Sequence, residues 1–259
     1  MSTMIFRFLA MALAIALAVP VAALSQKETD DLVRFVDERQ RNRGDFAGLC
    51  YMESREKDKT DVVNELVYYR RSEGQRFLIL FTKPKSEAGK GYLRVEKNLW
   101  YYDPGTGKWE RRTERERIGG TDTRREDLDE SRLAQEYTAK WECDEKLGAH
   151  DAHRILLEVK PDVDVAYPRV RLWVDASSGN LLKRQDMALS GRLMRTMYLP
   201  RWKKVYSESK GMDVWYAQEL RLYDEVEKAN STLILVKQVD LHPLDANMFT
   251  KAWLESKSR

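Results

Sequence analysis

Residues 76–82, RFLILFT, carry apolar side chains on both alternating faces of a segment of strand length. A strand of an antiparallel sheet that shows one face to water alternates apolar and polar residues. Here neither face is polar, since Phe77 and Ile79 alternate with Leu78 and Leu80. The pattern predicts a strand that other parts of the chain cover on both sides.

Further segments of strand length, rich in aromatic and β-branched residues, lie before and after this stretch. The first run comprises residues 48–55, 64–71, 76–82, 91–95 and 99–103, and the second comprises residues 137–143, 153–160, 169–175, 180–189, 193–206, 212–222 and 231–241. Short turns such as DPGTG at 103–107 favour antiparallel connections. Eleven or twelve such strands predict a curved sheet or incomplete barrel, because open sheets of more than about ten strands rarely stay flat.

Two segments predict helices over this sheet. Ser25 and Glu28 form a capping box, and Leu32, Phe35 and Val36 then share one face of a helix over residues 26–41. Residues 127–136 also have a helix-forming composition. Amphipathic helices over an apolar sheet surface predict a ligand cavity. The residues expected to line it are Leu32, Phe35, Val36, Leu78, Leu80, Trp100, Tyr102, Trp173 and Met194, with ordinary core packing as the alternative for each.

The first 23 residues have the pattern of a cleaved export signal. Arg7 precedes an apolar run over residues 8–19, and the small residues Ala22 and Ala23 follow it. The run is shorter than a membrane-spanning helix requires. We expect cleavage near Ala23 and a mature protein of one domain, residues 24–259, outside the cytoplasm. The alternative is an uncleaved signal anchor.

The charge of the chain does not point to nucleic acid. The 45 basic and 42 acidic residues give a net charge of only +3. The densest stretch, residues 110–126, mixes both signs and predicts a solvated loop or helix face, with a basic docking patch as the alternative.

The cysteines and histidines define no catalytic or metal site. Cys50 and Cys143 leave two alternatives open, a disulfide formed after export or two buried free thiols. His150 and His153 lack a third ligand nearby and are interpreted as part of a surface turn. Hydrolase elbows, phosphate-binding loops and metalloprotease motifs do not occur in the sequence. We therefore expect a protein that is not an enzyme and uses no cofactor.

Several segments in succession resemble the LolA-like superfamily of outer-membrane lipoprotein-sorting proteins. They are FTKP at 81–84, KGYLR at 90–94, LWYYDP at 99–104, GGTD at 119–122, DL at 127–128, YPRVRLWVD at 167–175, SGNLLK at 178–183, Gly191, NMFT at 247–250 and WL at 253–254. The resemblance covers nearly all of residues 24–259.

The resemblance implies a half-open antiparallel β-barrel with a helical lid and an apolar cavity. It implies a periplasmic carrier of lipoprotein acyl chains or free lipid. Its expected partners are an inner-membrane transporter of the ABC or RND/MMPL type and an outer-membrane receptor. A non-catalytic adaptor subunit of such a transporter and a lipid-sensing domain are the alternatives.

Overall fold

The computed structural model describes residues 23–41, 44–71, 73–113, 117–121, 123–128 and 131–258. Residues 1–22 of the predicted export signal therefore lie outside the described residues. Within the described residues, no helix combines the length and the apolar composition that crossing a membrane requires.

The structure is dominated by one antiparallel sheet. Its strands are β1 (Phe46–Arg55), β2 (Val62–Arg71), β3 (Arg76–Lys83), β4 (Gly91–Val95), β5 (Asn98–Asp103), β6 (Lys108–Arg112), β7 (Tyr137–Leu147), β8 (His150–Val159), β9 (Arg169–Asp175), β10 (Leu181–Met187), β11 (Leu193–Ser207), β12 (Met212–Asp224) and β13 (Ser231–Asp240). The helices are α1 (Gln26–Arg41), α2 (Arg125–Leu128), α3 (Leu133–Glu136) and α4 (Lys251–Lys257), with 3-10 turns at Ile118–Gly120 and Ala246–Met248.

The strand order is β6-β5-β4-β3-β2-β1-β13-β12-β11-β10-β9-β8-β7. Neighbours in the sheet are consecutive in the chain except at one seam, where β1 pairs with β13. There Cys50 lies opposite Val236 and Glu53 opposite Leu233. The prediction of a mainly β, open and curved antiparallel sheet is confirmed, with 13 strands in place of about 11.

The first helix has the predicted bounds, Gln26–Arg41. At its start the Ser25 backbone N–H donates to Glu28 Oε2 at 2.8 Å, and the Glu28 N–H donates back to Ser25 Oγ at 3.3 Å. This is the predicted capping box. The single helix expected over residues 127–136 is instead two short helices, α2 and α3.

The two faces of the sheet are covered by different parts of the chain. We call the face that carries Cys50, Met52 and Leu66 the inner face, and the opposite face the outer face. The β1–β13 pairing divides the sheet into a first half, β1–β6, and a second half, β7–β13. Helix α1 packs on the inner face of the second half, where Val33 and Val36 join its core. The turn Ile118–Gly120 and α2 cover the inner face of the first half, through Ile118 and Leu128.

Helix α4 covers the outer face of the first half. Its Leu254 is fully buried against Leu78 and Leu93 together with Phe249. Gly91 of β4 allows this close approach, since a Cβ there would lie 2.9 Å from Leu254 Cδ1 and 2.4 Å from the Ile79 carbonyl oxygen. The apolar residues of the opening stretch RFLILFT, from Phe77 to Phe81, are therefore covered on both faces, as predicted.

Candidate functional site

A cavity of about 180 Å³ lies between the inner face of the sheet and its helical cover. We call the 3-10 turn Ile118–Gly120 together with α2 and α3 the lid. The apolar residues at the cavity wall come from both halves of the sheet and from the lid. They are Phe46, Cys50, Met52, Leu66, Tyr68, Ile79, Ile118, Leu128, Leu181, Met197, Leu199, Trp202, Ala217, Leu220, Ile234 and Val236.

These side chains meet at one surface because of strand alternation and register. Successive residues of a strand point to opposite faces, and residues opposite each other in neighbouring strands share a face. Met52 lies opposite Ile234 across the seam, and Leu66 lies opposite Cys50. The seam between β1 and β13 thus runs through the middle of the apolar wall.

A buried network of four charges ties the lid to the sheet. Arg195 of β11 donates through Nη2 to Asp127 Oδ1 at 2.7 Å and through Nη1 to Asp127 Oδ2 at 2.8 Å. Its Nε donates to Asp186 Oδ2 at 2.7 Å, and Arg184 Nε donates to Asp186 Oδ1 at 2.6 Å. Two guanidinium groups and two carboxylates balance each other, and Arg184 and Asp127 also face the cavity.

The charges of this network set its proton affinities. Burial opposes the ionisation of Asp186, but the positive charges and hydrogen bonds of Arg184 and Arg195 outweigh burial and lower the pKa of Asp186. Burial also disfavours the charge of Arg195, yet Asp127 and Asp186 raise its pKa well above the ordinary value. Asp186 and Arg195 therefore stay ionised at neutral pH.

A second attachment holds the lid to α1. The Asp37 carboxylate accepts hydrogen bonds from the backbone N–H groups of Leu133 at 3.0 Å and Ala134 at 2.8 Å, and from Ser131 Oγ at 2.5 Å. These N–H groups belong to the first turn of α3. Backbone N–H groups in the first turn of a helix have no hydrogen-bond acceptor within that helix. Asp37 thus caps α3 from a neighbouring helix.

The residues predicted to line the cavity lie elsewhere in the structure. On α1, Leu32 and Val36 pack into the core over the second half of the sheet, and Phe35 is 40% exposed beside Gly179. Met194 packs against the same core. Met197, three residues further along β11, faces the cavity.

The predicted strand residues lie on the outer face. Leu78, Leu80 and Tyr102 contact the cluster around α4, and Lys251 Nζ lies 3.6 Å from the centre of the Trp100 ring. Trp173 packs with Ala152 and Leu182 and donates to Glu145. The segment RFLILFT shows why the prediction chose the outer face. Both of its faces are apolar, and periodicity alone does not tell which face meets the cavity. Ile79, between Leu78 and Leu80, is the cavity residue of β3.

The polar residues of the cavity were not predicted. They are Gln40, Arg70, Thr123, Asp127, Ser131 and Arg184. For the charged strand residues at or next to the cavity, the only signal in the sequence is a charge at the apolar position of an alternating strand. Arg70 continues the series Leu66 and Tyr68, and Arg195 precedes Met197 and Leu199 in the same way.

Both cysteines are free thiols, so the structure contains no Cys50–Cys143 disulfide. Cys50 faces the cavity, and burial raises the pKa of its thiol to about 12. Cys143 lies on the edge strand β7 and is only partly buried. The alternative of two buried thiols therefore holds for Cys50 and not for Cys143.

The two histidines of the 150–153 segment lie on β8 and not in the surface turn that we predicted. His150 Nδ1 lies 2.7 Å from Asp175 Oδ2, and His153 Nδ1 lies 2.6 Å from Asp144 Oδ1. The part of the chain that the structure describes contains no group of three or more His, Cys, Asp or Glu residues placed to hold a metal ion.

In the described part of the charged stretch at residues 110–126, the chain forms the end of β6, the turn Ile118–Gly120 and the start of α2, and not the loop or helix face that we predicted; residues 114–116 and 122 lie outside the described residues. Residues up to Arg112 complete β6, and Arg125 begins α2. Between them Arg117 Nη2 donates to Glu56 Oε1 at 2.5 Å, while its Nε donates to the Thr121 carbonyl oxygen at 2.8 Å.

Comparison with known proteins identifies one family model that the chain matches and several solved structures with a similar fold. Residues 73–256 match the model of a family whose description is "Uncharacterized protein". A search of the curated proteins finds no match to the chain.

Three solved structures share the fold. A domain described as a candidate outer membrane lipoprotein-sorting protein from Vibrio parahaemolyticus has a TM-score of 0.75 at 18% identity, covering 89% of this chain and 100% of that chain. A LolA superfamily protein from Nitrosomonas europaea has a TM-score of 0.68 at 18% identity, covering 87% and 98%. A DUF1329 family protein from Desulfovibrio piger has a TM-score of 0.75 at 18% identity, covering 88% and 98%.

Proposed function

We propose that this chain, which belongs to the family matched over residues 73–256 and has the LolA-like fold, shelters the acyl chains of a lipid or lipoprotein in its cavity. The observation that carries the proposal is the apolar wall built from both halves of the sheet beneath a lid. Residues from β1, β2 and β3 face residues from β10 to β13 across the same space.

The chemistry of an acyl chain fits such a wall. Exposing hydrocarbon to water costs about 0.8 kcal/mol per methylene, so a diffusing carrier has to enclose it. Met52 and Met197 at the wall are flexible and adapt to ligands of different shape. The wall therefore supports binding of hydrocarbon without requiring one fixed chain length.

The volume of the cavity supports a step in which the lid moves. Ligand cavities usually measure about 300–1,000 Å³, and this cavity measures about 180 Å³. An acyl chain would therefore enter only as the lid is displaced. The attachments of the lid to Arg195 and to Asp37 are among the contacts that this displacement would break.

We further propose that the mature protein, residues 24–259, acts in the periplasm after an export signal over residues 1–23 is removed. It would move acyl chains between the inner and outer membranes, with an inner-membrane transporter of the ABC or RND/MMPL type and an outer-membrane receptor as its partners. The pattern of the first 23 residues and the LolA-like fold support this placement. The proposed role is binding and transfer, without a catalytic step.

One observation favours a second function, that of an adaptor subunit of an envelope transporter. Tyr206 and Met212, at the tip of the β11–β12 hairpin, are 58% and 52% exposed. Exposed apolar side chains at a hairpin tip are suited to contact with another protein. An adaptor would use this tip and carry no lipid.

Native mass spectrometry of the protein purified gently from its own periplasm tests the proposal. We expect a mass excess that matches an acyl-containing species. Ala217→Phe, which places a ring at the cavity wall, should abolish the excess, and Ala88→Phe on an exposed loop should keep it. Melting temperatures establish that both variants fold. If the protein stays free of ligand after incubation with total lipid extract and acylated peptides, the proposed carrier function is overturned and the adaptor function is favoured.

A further inference from the structure

One arginine at the cavity wall is buried, and none of the charged residues that the structure describes pairs with it. Arg70 of β2 is only 5% exposed and faces the cavity. Its Nη2 atom is buried and donates no hydrogen bond to any of the residues that the structure describes. A guanidinium keeps its proton in proteins, so this group is a fixed positive charge.

The other charges at the described part of the cavity wall are already paired. Asp127 and Arg184 belong to the network of two arginines and two aspartates that ties the lid to the sheet. Near the end of β2, Asp45 binds Arg71 through two hydrogen bonds of 3.0 and 2.7 Å and also accepts from the Leu244 N–H at 2.6 Å. Among the residues that the structure describes, Arg70 is therefore the charge at the wall that has no partner.

The position of Arg70 separates charge from hydrocarbon along one strand. Arg70 lies opposite Phe46, at the end of the β1–β2 pairing. From there the same face continues through Tyr68 and Leu66, both at the wall. A ligand with a charged group at one end and hydrocarbon along its length has the same arrangement.

A buried, unpaired guanidinium is costly unless an anion binds it. Its planar set of donors fits the two oxygens of a carboxylate or phosphate. We propose that the cavity takes an acyl ligand with an anionic group, a carboxylate or phosphate, which pairs with Arg70 while the hydrocarbon lies along Leu66, Ile79 and Ile234. This inference rests on the proposed function, because it assumes that the cavity binds acyl chains.

Matched pairs of amphiphiles test the inference. At pH 8, displacement of a fluorescent fatty-acid probe would compare a C16 carboxylate with the C16 alcohol, and dipalmitoyl phosphatidic acid with dipalmitoylglycerol. We expect the anionic member of at least one pair to bind about tenfold more tightly or better, the difference that one charge-assisted hydrogen bond supplies. The pair with the larger preference identifies the anionic group.

Variants of Arg70 separate ligand recognition from a structural role. Arg70→Gln should remove the preference for the anionic member of each pair and leave the affinity for the neutral members within about twofold of wild type. Arg70→Lys should keep part of the preference for the anionic member. Without ligand, Arg70→Gln should melt at the same temperature as wild type or higher, because it removes an unpaired buried charge. A marked fall in its melting temperature would instead assign Arg70 to the fold and overturn the inference.

The outcomes separate this inference from the function on which it rests. Equal binding of anionic and neutral members by the wild type overturns the role of Arg70 and leaves the acyl cavity standing. Failure of every amphiphile to bind overturns the proposed function itself. Displacement of the probe by millimolar inorganic phosphate alone would show a site for a free anion, and would also overturn the lipid assignment.

Discussion

Arg195 of β11 and Asp127 of α2 form a buried pair in which two parallel hydrogen bonds of 2.7 and 2.8 Å join sheet to lid. Their side chains are only 6% and 4% exposed. Screening by water and salt is therefore weak, and the geometry is that of the strongest arginine–carboxylate pairs. This pair holds the cover of the cavity in place.

Asp127→Asn should loosen the lid. The change leaves Arg195 with one carboxylate in place of two, and breaking a buried pair typically lowers the free energy of unfolding by about 3 kcal/mol. We expect faster amide hydrogen exchange in α2 and in the turn Ile118–Gly120, measured by mass spectrometry.

Asp213→Asn is the matched control for this change. Asp213 pairs with Lys204 at 3.0 Å on the surface, and the control should alter the free energy of unfolding by less than about 0.5 kcal/mol. Unchanged exchange in the lid of Asp127→Asn would show that this pair does not hold the lid.

Asp186 should make stability depend on pH in the acid range. Its pKa in the folded protein is below the ordinary value of 3.8, because Arg184 and Arg195 outweigh the effect of burial. The stabilisation is therefore complete above about pH 4 and is lost as the pH falls through the lower folded pKa.

The variant Asp186→Asn isolates this contribution. It should be less stable than wild type by about 3 kcal/mol at pH 7, and the difference should shrink as the pH falls from 4 to 2. Urea denaturation at a series of pH values measures both. A difference that stays constant over this range would mean that Asp186 does not titrate as its partners imply.

The two cysteines should differ in reactivity. Burial raises the pKa of Cys50 to about 12, so almost none of it is thiolate at pH 8, whereas Cys143 is partly exposed. A thiol reagent should label one cysteine in the folded protein and two in urea. Peptide mapping should place the first label on Cys143. If neither cysteine reacts in urea without a reductant, the protein contains a disulfide, contrary to this structure.

Gly91→Ala should disturb the packing of α4. The added Cβ would lie 2.4 Å from the Ile79 carbonyl oxygen, and such overpacking lowers the free energy of unfolding by about 1–3 kcal/mol. Limited proteolysis should cleave the variant faster near α4. Gly105→Ala is the control, because its nearest neighbour would be Asp103 Oδ1 at 3.2 Å in an exposed turn. An equal loss of unfolding free energy in the two variants would contradict the role of Gly91 in allowing the close approach of α4.

Much of the fold could be predicted from local signals. The bounds of α1 follow from the capping box at Ser25 and Glu28, and most strands follow from their aromatic and β-branched residues. The strand β6 was missed because its sequence KWERR is polar and lies at the edge of the sheet. Helix α4 was missed because seven residues are too few for the helical periodicity of apolar residues to be recognised.

The site was much harder to predict than the fold. Periodicity identifies the apolar positions of a strand but not which face meets the cavity when both faces are apolar, which is why Leu78 was chosen over Ile79. The pairing of Arg195 with Asp127 depends on where the lid crosses the sheet, and no local pattern encodes that position. Arg70 differs from an ordinary surface arginine only through its neighbours in space.

The seam between β1 and β13 has a consequence for how the molecule assembles. Each half of the sheet consists of consecutive hairpins that can form locally, but the seam joins Glu53 to Leu233, far apart in the chain. Such non-local pairing is slow, and until it occurs both halves expose apolar strands to aggregation. The cavity wall therefore belongs to neither half alone, and it is complete only after the last strand of the chain has paired with the first.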